Sequence, residues 1–328
     1  MRTITPRTFT WQDGERTIHF GDGALGRALP ALAGDFVLLT TARARKLAPE
    51  LVARAAAVHD VAPGRVDELA GELLGEIDGA ATLLVALGGG RVIDVAKALA
   101  ATRPPDERAR VAAVPTTLSA AEMTAVHRRA AGADARLPGV RPAIVVNDPA
   151  LSASQPAREL AASAANALGH AAEGPATVRA TPVPALAGRE AARLIGLAYE
   201  NDEPDRATLA LGALLSGYAI DGCGYGLHHV LSQALARVAG VGHGQANAAM
   251  LPHTLPALER RGAAQVGALA ALARDLAARA GASSLRDLGV DERQLDDCAD
   301  VAAARAELDL TPPRAGRDEL RALYAAAR

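Results

Sequence analysis

The sequence predicts a two-part fold, in which a doubly wound α/β region with a parallel sheet is followed by an all-helical region. Up to about residue 148, short apolar runs rich in β-branched residues alternate with helical patterns. From about Leu151 onward these runs disappear, and the chain becomes rich in Ala, Leu and Arg with helical spacing. The change in pattern is the main indication of two domains.

Four strands are predicted in the first region, at residues 36–40, 82–87, 111–115 and 143–148. Helices are predicted between the first two of them, at residues 46–57 and 66–77, the second with apolar residues three and four apart. In the second region, residues 187–199 and 264–278 show the clearest helical patterns. Because the residue before a proline is disfavoured in a helix, the Asp148-Pro149 step predicts a boundary between domains at 1–149 and 150–328.

Composition excludes several classes of protein. Among 328 residues, 35 Lys and Arg stand against 37 Asp and Glu, so the chain lacks the basic excess of a nucleic-acid binder. Charged residues interrupt every apolar run, and the polar N-terminus does not resemble a secretory signal, so we expect no membrane segment. With only two cysteines, the expectation is a cytoplasmic protein that acts on a small molecule.

A glycine triplet, Gly88, Gly89 and Gly90, lies between a predicted strand and a predicted helix. Glycines permit positive φ and carry no Cβ, so the turn can approach a ligand while the helix directs its free N–H groups at it, which suits a pyrophosphate. One helical turn on, Asp94 could reach a ribose or the nicotinamide side, and Lys97 could anchor the helix. A tight turn without a ligand is the alternative.

Two threonines, Thr116 and Thr117, follow the next strand, where open α/β sheets bind their ligands. Their hydroxyls could therefore contact the same cofactor. The alternative for this segment is a helix start, with Ser119 as the N-cap and Glu122 completing a capping box.

The first predicted strand ends at Thr40-Thr41, where many dinucleotide enzymes carry an acid that holds the adenosine 2′-hydroxyl. Arg43 and Arg45 follow instead. An uncharged site near guanidinium groups can admit a 2′-phosphate. We therefore expect the protein to bind NADPH as well as NADH, or in preference to it. The alternative is that both arginines are ordinary solvated helix residues.

Histidines concentrate in the helical half. Asn166 and His170 lie four apart, on one face of a predicted helix, while His229 and His243 flank a glycine-rich break between two helices. Imidazoles from separate helices can converge on a metal ion or on a substrate carboxylate. We therefore interpret His170, His229 and His243 as one site.

These motifs together resemble a known group of enzymes. They run in the order GGGRVIDVAK, PTTLSAAEMT, NDPAL, NALGHAAE, GLHHVLSQAL and GHGQANAAMLPH. The order is similar to that of the iron-containing alcohol dehydrogenase superfamily and, within it, to the maleylacetate reductase branch. The resemblance implies a Rossmann-like NAD(P) domain, a helical domain and an active site in the cleft between them. It also implies that cofactor contacts come from Gly88, Gly89, Gly90, Asp94, Lys97, Thr116 and Thr117. Thr41, which follows the first predicted strand, is a further candidate for cofactor contact.

Two positions depart from this pattern. The metal-dependent members bind their ion with one Asp and three His, and the matching positions here are Asn166, His170, His229 and His243. An amide in place of the carboxylate weakens attraction for iron or zinc, although three imidazoles alone can hold zinc. Four residues after the third ligand position, Gln233 replaces a further histidine. Without a metal, we expect the histidines to polarise a carbonyl or to bind a carboxylate directly.

The predicted function is hydride transfer between a nicotinamide and a small polar alcohol, carbonyl or enoate. His229 and His243 are the expected proton-relay residues, with Tyr225 a weaker donor. Three alternatives stay open: a tailoring dehydrogenase that oxidises a β-hydroxy acid so that decarboxylation follows, a non-redox cyclase like dehydroquinate synthase, and a nucleotide-binding protein without catalysis. The resemblance also implies a homodimer.

Overall fold

The computed structural model of the protein describes residues 8–77, 81–134, 136–264 and 266–328. Residues 1–7 of the polar N-terminal stretch, and residue 265 of a predicted helix, lie outside the described part. The chain forms two compact units, the first made of residues 1–154 and 206–211 and the second of residues 155–205 and 212–328. The domain boundary predicted after residue 149 falls a few residues before the first change of unit. Within the described ranges, no helix combines the length and apolar character needed to cross a membrane.

The first unit contains a seven-stranded sheet with the order β1-β2-β7-β6-β5-β3-β4. The strands are β1 (Phe9–Asp13), β2 (Arg16–Phe20), β3 (Val37–Thr40), β4 (Ala57–Asp60), β5 (Leu83–Gly88), β6 (Arg110–Pro115) and β7 (Ile144–Asn147). The helices that precede β7 are α1 (Ala24–Ala28), α2 (Ala42–Arg45), α3 (Pro49–Val52), α4 (Val66–Leu73) and α5 (Gly90–Ala100). All strand pairs are parallel except β1 with β2. The predicted α/β class is confirmed.

Both faces of this sheet are buried, which explains the continuous apolar runs of its central strands. Along β5, Leu84 and Ala86 pack into a core shared with α4 and α5. The alternate residues Val85 and Leu87 pack into a second core shared with α1. Successive side chains of a strand point to opposite faces, so a single strand supplies both cores.

Four predicted strands agree with β3, β5, β6 and β7 to within about one residue at each end. The helix predicted at residues 46–57 is wrong, because the segment holds only the one-turn helix α3 and then enters β4. Strands β1 and β2 were not predicted either. They are short, and β1 alternates half-buried with exposed residues while β2 alternates buried with half-buried ones, as expected for a hairpin at a sheet edge.

The second unit is helical, as predicted. Its helices are α6 (Ala157–Glu173), α7 (Pro182–Ala198), α8 (Arg206–Cys223, whose first turns belong to the first unit), α9 (Leu227–Ala239), α10 (His243–Arg260), α11 (Ala270–Arg279), α12 (Gln294–Ala303) and α13 (Arg317–Ala326). Helix α6 is almost entirely buried from Leu160 to Glu173, and half of the residues in this stretch are alanine. Small side chains permit close packing with α7, α9, α10 and α11, which places polar residues of α6 inside the unit.

Candidate functional site

A cavity of about 600 Å³ opens at the carboxyl ends of β5, β3 and β4 in the first unit. Five of the residues predicted to bind the cofactor line it: Thr41, Gly89, Gly90, Thr116 and Thr117. The other three predicted residues, Gly88, Asp94 and Lys97, are not among the lining residues of this cavity. Open α/β sheets bind ligands outside the carboxyl ends of their strands, so this is where a dinucleotide is expected.

The glycine triplet is required for close packing and not for an unusual backbone conformation. None of the three has a positive φ, so that part of the expectation is wrong. A Cβ on Gly88 would lie 2.6 Å from Cγ2 of Val92, and one on Gly90 would lie 2.8 Å from Cβ of Ser119. The missing side chains therefore let the turn approach both its own helix and the loop after β6.

Helix α5 begins directly against the cavity. Its N-cap, Gly89, offers no side chain to accept from the first-turn amides, and the amide of Ile93 already donates to the Gly89 carbonyl. The amides of Gly90 and Arg91 have no partner within the helix, as in the first turn of any α-helix. Together with the helix dipole, these donors favour an anion such as a pyrophosphate.

Lys97 anchors the loop that follows β6. It is fully buried, and its Nζ donates to Oδ1 of Asp94 at 3.0 Å and to the carbonyls of Ala121 and Val126 at 3.0 and 2.8 Å. An ammonium has three protons, so these bonds leave none for a ligand. The anchoring role predicted for Lys97 agrees with this geometry, whereas direct contact of Lys97 with a cofactor does not.

The loop that Lys97 anchors, residues 116–126, is irregular. The helix start considered for Ser119 and Glu122 is therefore wrong: Ser119 Oγ accepts from the amide of Ala121 in a turn, and Glu122 turns inward. Among the described residues, Oε2 of Glu122 has no hydrogen-bond partner. Burial raises the pKa of Glu122 to about 7, against the opposing influence of its backbone hydrogen bond and of the Lys97 charge.

Asp60 is a cavity residue that the sequence did not reveal. It ends β4 beside Thr40 of β3 and lines the same cavity as Thr41 and the glycine turn. Arg45 forms an ion pair with its Oδ2 at 2.5 Å, while Arg43 lines the cavity and donates to the Ser154 carbonyl at 3.4 Å. The sequence pattern does not show β4, so it does not show that Asp60 lies at the end of a strand beside the cavity.

The predicted histidine cluster lies within the second unit. His170 of α6 stacks on His229 of α9, with ring centroids 4.6 Å apart, and His228 meets His229 edge-on at 4.8 Å. His243 begins α10, where its side chain is exposed, and its charge lowers the pKa of the other three histidines. The structure thus brings His170 and His229 together and places His243 nearby.

Glu173 fixes the orientation of His229. Its carboxylate accepts from the amides of His228 and His229 at 2.6 and 3.2 Å and from Nδ1 of His229 at 2.7 Å. Because a carboxylate accepts, Nδ1 carries the proton and Nε2 presents a lone pair. Burial raises the pKa of Glu173, and these donated hydrogen bonds oppose that rise. The sequence analysis gave Glu173 no role, although it lies one helical turn after His170.

His228 packs beside His229 and is held by Thr254. Its Nδ1 lies 2.8 Å from Oγ1 of Thr254, a residue of α10. Its Nε2 faces Gly169, where a Cβ would lie 2.6 Å away. A glycine at this position of α6 therefore makes room for the ring.

Several buried polar atoms of the cluster are left without a hydrogen-bond partner in the described part of the chain. Asn166 Oδ1, His170 Nδ1, and Nε2 of both His228 and His229 are buried and have no hydrogen-bond partner among the described residues. Burial lowers the pKa of His228 and of His229 to about 3, and that of His170 well below its usual value, so all three are neutral. The bare Nε2 of His229 can accept a proton but cannot donate to a carboxylate. The expectation that these rings bind a carboxylate or polarise a carbonyl by donation is corrected for His229.

As arranged here, the cluster does not fit a metal ion. Within the described ranges, no group of three or more His, Cys, Asp or Glu side chains could hold one. Asn166 contributes no negative charge, and His243 is the exposed member of the set. That Asn166, His170, His229 and His243 bind iron or zinc stays a prediction.

Tyr225 lies beside the cluster, its ring 5.9 Å from that of His229. Its hydroxyl donates to Oε1 of Glu307 at 3.3 Å and accepts from Arg305 at 3.2 Å. It also contacts Gln233, the residue that replaces a histidine of the family pattern. Burial raises the pKa of Tyr225, and its proton is already engaged, so Tyr225 is a poor proton donor in this geometry.

Comparison with known proteins gives a consistent result. Residues 160–272 match the Fe-containing alcohol dehydrogenase family, C-terminal. Maleylacetate reductase of Pseudomonas aeruginosa is 31% identical over 286 residues, covering 79% of this chain and 78% of the relative. The chain belongs to the iron-containing alcohol dehydrogenase family. Maleylacetate reductase of Burkholderia cepacia is also 31% identical, over 86% of this chain and 88% of its own length.

The fold agrees with this family. The crystal structure of maleylacetate reductase from Agrobacterium tumefaciens superposes with a TM-score of 0.82 at 27% identity, over 98% of both chains. The predicted resemblance and fold class are therefore confirmed, and the protein is an NAD(P)-dependent oxidoreductase. The roles of the individual site residues follow from the geometry above and stay predictions.

Proposed function

We propose that the glycine-turn cavity binds the dinucleotide and that hydride passes between its nicotinamide and a small polar substrate whose oxygen meets His229. The observation that carries this proposal is the Glu173–His229 pair, which leaves a bare, buried Nε2 on a neutral imidazole. A neutral imidazole of fixed tautomer is suited to accept a proton from a hydroxyl group.

The bound nicotinamide would supply the hydride chemistry, accepting hydride from the substrate carbon in oxidation and returning it in reduction. In oxidation, Nε2 of His229 takes the hydroxyl proton as the C=O bond forms. In reduction, Nε2 returns that proton to the substrate oxygen. Glu173 stabilises the imidazolium that exists between these steps, because its carboxylate lies 2.7 Å from Nδ1. The backbone donors at Gly90 and Arg91 position the cofactor through its phosphates.

For the substrate, the relatives named maleylacetate reductase support a small, polar enoate or keto acid. The acceptor character of the cluster favours a second candidate, the oxidation of a hydroxy acid, because a hydroxyl group can donate to Nε2 whereas a carboxylate cannot. Decarboxylation would follow such an oxidation when the hydroxyl is β to the carboxylate.

The test is a steady-state assay of nicotinamide absorbance with maleylacetate, with simple aldehydes and ketones, and with β-hydroxy acids, using both NADH–NAD⁺ and NADPH–NADP⁺. We expect net oxidation or reduction of the nicotinamide with at least one substrate of these classes. Product formed without net change in the nicotinamide would indicate a cyclase instead. Tight cofactor binding without turnover of any of them would indicate a non-catalytic protein.

The expected homodimer and cytoplasmic location belong to this proposal as well. Both rest on membership of the family. Light scattering coupled to gel filtration measures the first directly, and a monomer at micromolar concentration would contradict it.

A further inference from the structure

The strand order of the first unit brings an acid to the cofactor cavity from an unexpected strand. In the order β5-β3-β4, the glycine turn ends the first strand, Thr40 ends the second, and Asp60 ends the third. Asp60 lies directly opposite Thr40 in the parallel register. Neighbouring strands are about 5 Å apart, so the three ends span roughly 10 Å along one edge of the sheet.

A dinucleotide bound at the α5 N-terminus would extend along this edge. Its pyrophosphate is expected at Gly89 and Gly90, and in Rossmann-like sheets the adenosine ribose lies over the end of the next strand. That strand is β3, which ends in threonine and offers no carboxylate. The cavity continues past Thr41 to Asp60, so the carboxylate of the outer strand borders the space that the ribose needs.

The charges around Asp60 differ from those expected from the sequence. Arg45 does not line the cavity: it is bound to Oδ2 of Asp60, so that its positive charge is neutralised by the pair. Arg43 does line the cavity and donates to a backbone carbonyl. Oδ1 of Asp60, a side chain that is 55% exposed, can accept from ribose hydroxyls. A 2′-phosphate placed there would meet a carboxylate.

We propose that Asp60, oriented by Arg45, determines cofactor specificity by accepting the adenosine ribose hydroxyls and by repelling a 2′-phosphate, so that the protein prefers NADH to NADPH. The inference rests on the proposed binding of the dinucleotide in this cavity. It reverses the preference expected from Arg43 and Arg45. A dianionic phosphate a few ångströms from a partly solvated carboxylate loses roughly tenfold or more in affinity.

The experiment is a pair of fluorescence titrations, with NADH and with NADPH, on the wild-type protein and on Asp60→Asn. The wild type is expected to bind NADH at least about tenfold more tightly. Asp60→Asn should shift the ratio of the two dissociation constants toward NADPH by about tenfold or more, because it removes the negative charge and keeps the shape. Asp35→Asn is the matched control, because it makes the same change in charge away from the cavity. Asp35 is exposed and precedes β3, at the end of the strand opposite to the cavity.

A wild-type protein that binds NADPH more tightly, or a ratio that changes less than about twofold in Asp60→Asn, would overturn the inference while leaving cofactor binding intact. An equal shift in Asp35→Asn would also overturn it, because the effect would then come from net charge alone. If neither NADH nor NADPH binds the wild type, the proposed function itself fails. A second variant, Asp60→Ser, separates loss of charge from a folding defect, since it should shift the ratio in the same direction as Asp60→Asn.

Discussion

The cavity of the first unit and the histidine cluster of the second offer opposite chemistry. At the glycine turn, missing side chains expose backbone N–H groups, which are hydrogen-bond donors, to an anion. In the cluster, Glu173 engages the Nδ1 proton of His229 and leaves its Nε2 as a bare acceptor atom. One region is suited to hold phosphates, and the other is suited to accept a proton. Hydride transfer from an alcohol needs both functions.

The two regions also differ in how they are supported. The loop beside the cavity is held by Lys97, whose three protons all bond within the first unit. The histidines are positioned by a carboxylate whose hydrogen bonds come from the start of α9. A single side chain therefore controls the geometry of each region, and substitutions at or near these side chains test the contrast most sharply.

The largest effect is expected from Glu173→Gln. The amide would place an N–H group near Nδ1 of His229 and favour the other tautomer, so that Nε2 would carry the proton. We expect kcat for hydride transfer to fall on the order of a thousandfold. Steady-state kinetics measure this, and ¹⁵N NMR of the imidazole reports the tautomer independently. Glu159→Gln, an exposed position of the same helix, should leave both unchanged. Full activity in Glu173→Gln would contradict the role given to this pair.

A second test addresses Glu122, beside the cavity. Its pKa of about 7 in the folded protein lies above the ordinary 4.5, so the stability it contributes is complete below about pH 4.5 and is lost as the pH rises through 7. At pH 8, Glu122→Gln should be more stable than the wild type by up to about 3 kcal/mol, since one pKa unit corresponds to about 1.4 kcal/mol. At pH 5 most of this difference should vanish.

Urea unfolding at the two pH values measures this difference. Glu50→Gln, an exposed carboxylate of the same unit, is the control and should show no dependence on pH. A Glu122→Gln protein that is less stable than the wild type at pH 8 would show that the ionised carboxylate is well accommodated.

A smaller effect is expected from Gly90→Ala in the cavity. The new Cβ would lie 2.8 Å from that of Ser119 and would push the loop from the helix start. Overpacking of this kind typically costs about 1–3 kcal/mol, so the affinity for the dinucleotide should fall roughly tenfold to a hundredfold. Gly26→Ala is the matched control, because nothing lies within 4 Å of a Cβ at that helical glycine. Equal cofactor affinity in both variants would show that the turn is not at the binding site.

The smallest effect is expected from Asn166→Asp, which adds a negative charge to the acceptor cluster. The affinity of the protein for zinc should rise on the order of tenfold, because a carboxylate attracts a divalent cation more strongly than an amide does. Elemental analysis after dialysis against zinc compares the two proteins. If the wild type already binds one zinc ion per chain and Asn166→Asp binds no more, Asn166 does not limit metal binding.

The sequence predicted the first region better than the second for a physical reason. A strand, a glycine turn and a helix are consecutive in the chain, so Gly88–Gly90 and the approximate course of β5 and α5 could be read locally. Asp60 was missed because its strand is only four residues long and the chain before it looks helical. Its place beside the cavity follows from strand order, which no local pattern encodes.

The histidine cluster depends on three helices that meet only in the folded chain. Spacing within α6 placed Asn166 and His170 on one face, and the glycine-rich break between two helices suggested that His229 and His243 join them, as the family resemblance also implies. The tautomers could not be predicted, since they depend on which buried group faces each Nδ1. Glu173 was visible in the sequence, but its role followed only from the hydrogen bonds it accepts from α9.

The most direct measurement is a crystal structure of the protein with NADH bound. The pyrophosphate oxygens should lie within hydrogen-bond distance of the amides of Gly90 and Arg91, with the ribose hydroxyls toward Asp60. The account would be contradicted if the dinucleotide lay away from the glycine turn, or if the amides of the turn bonded only to protein atoms in that complex. In either case the cavity would not be the site that binds the phosphates while the histidine cluster accepts the proton.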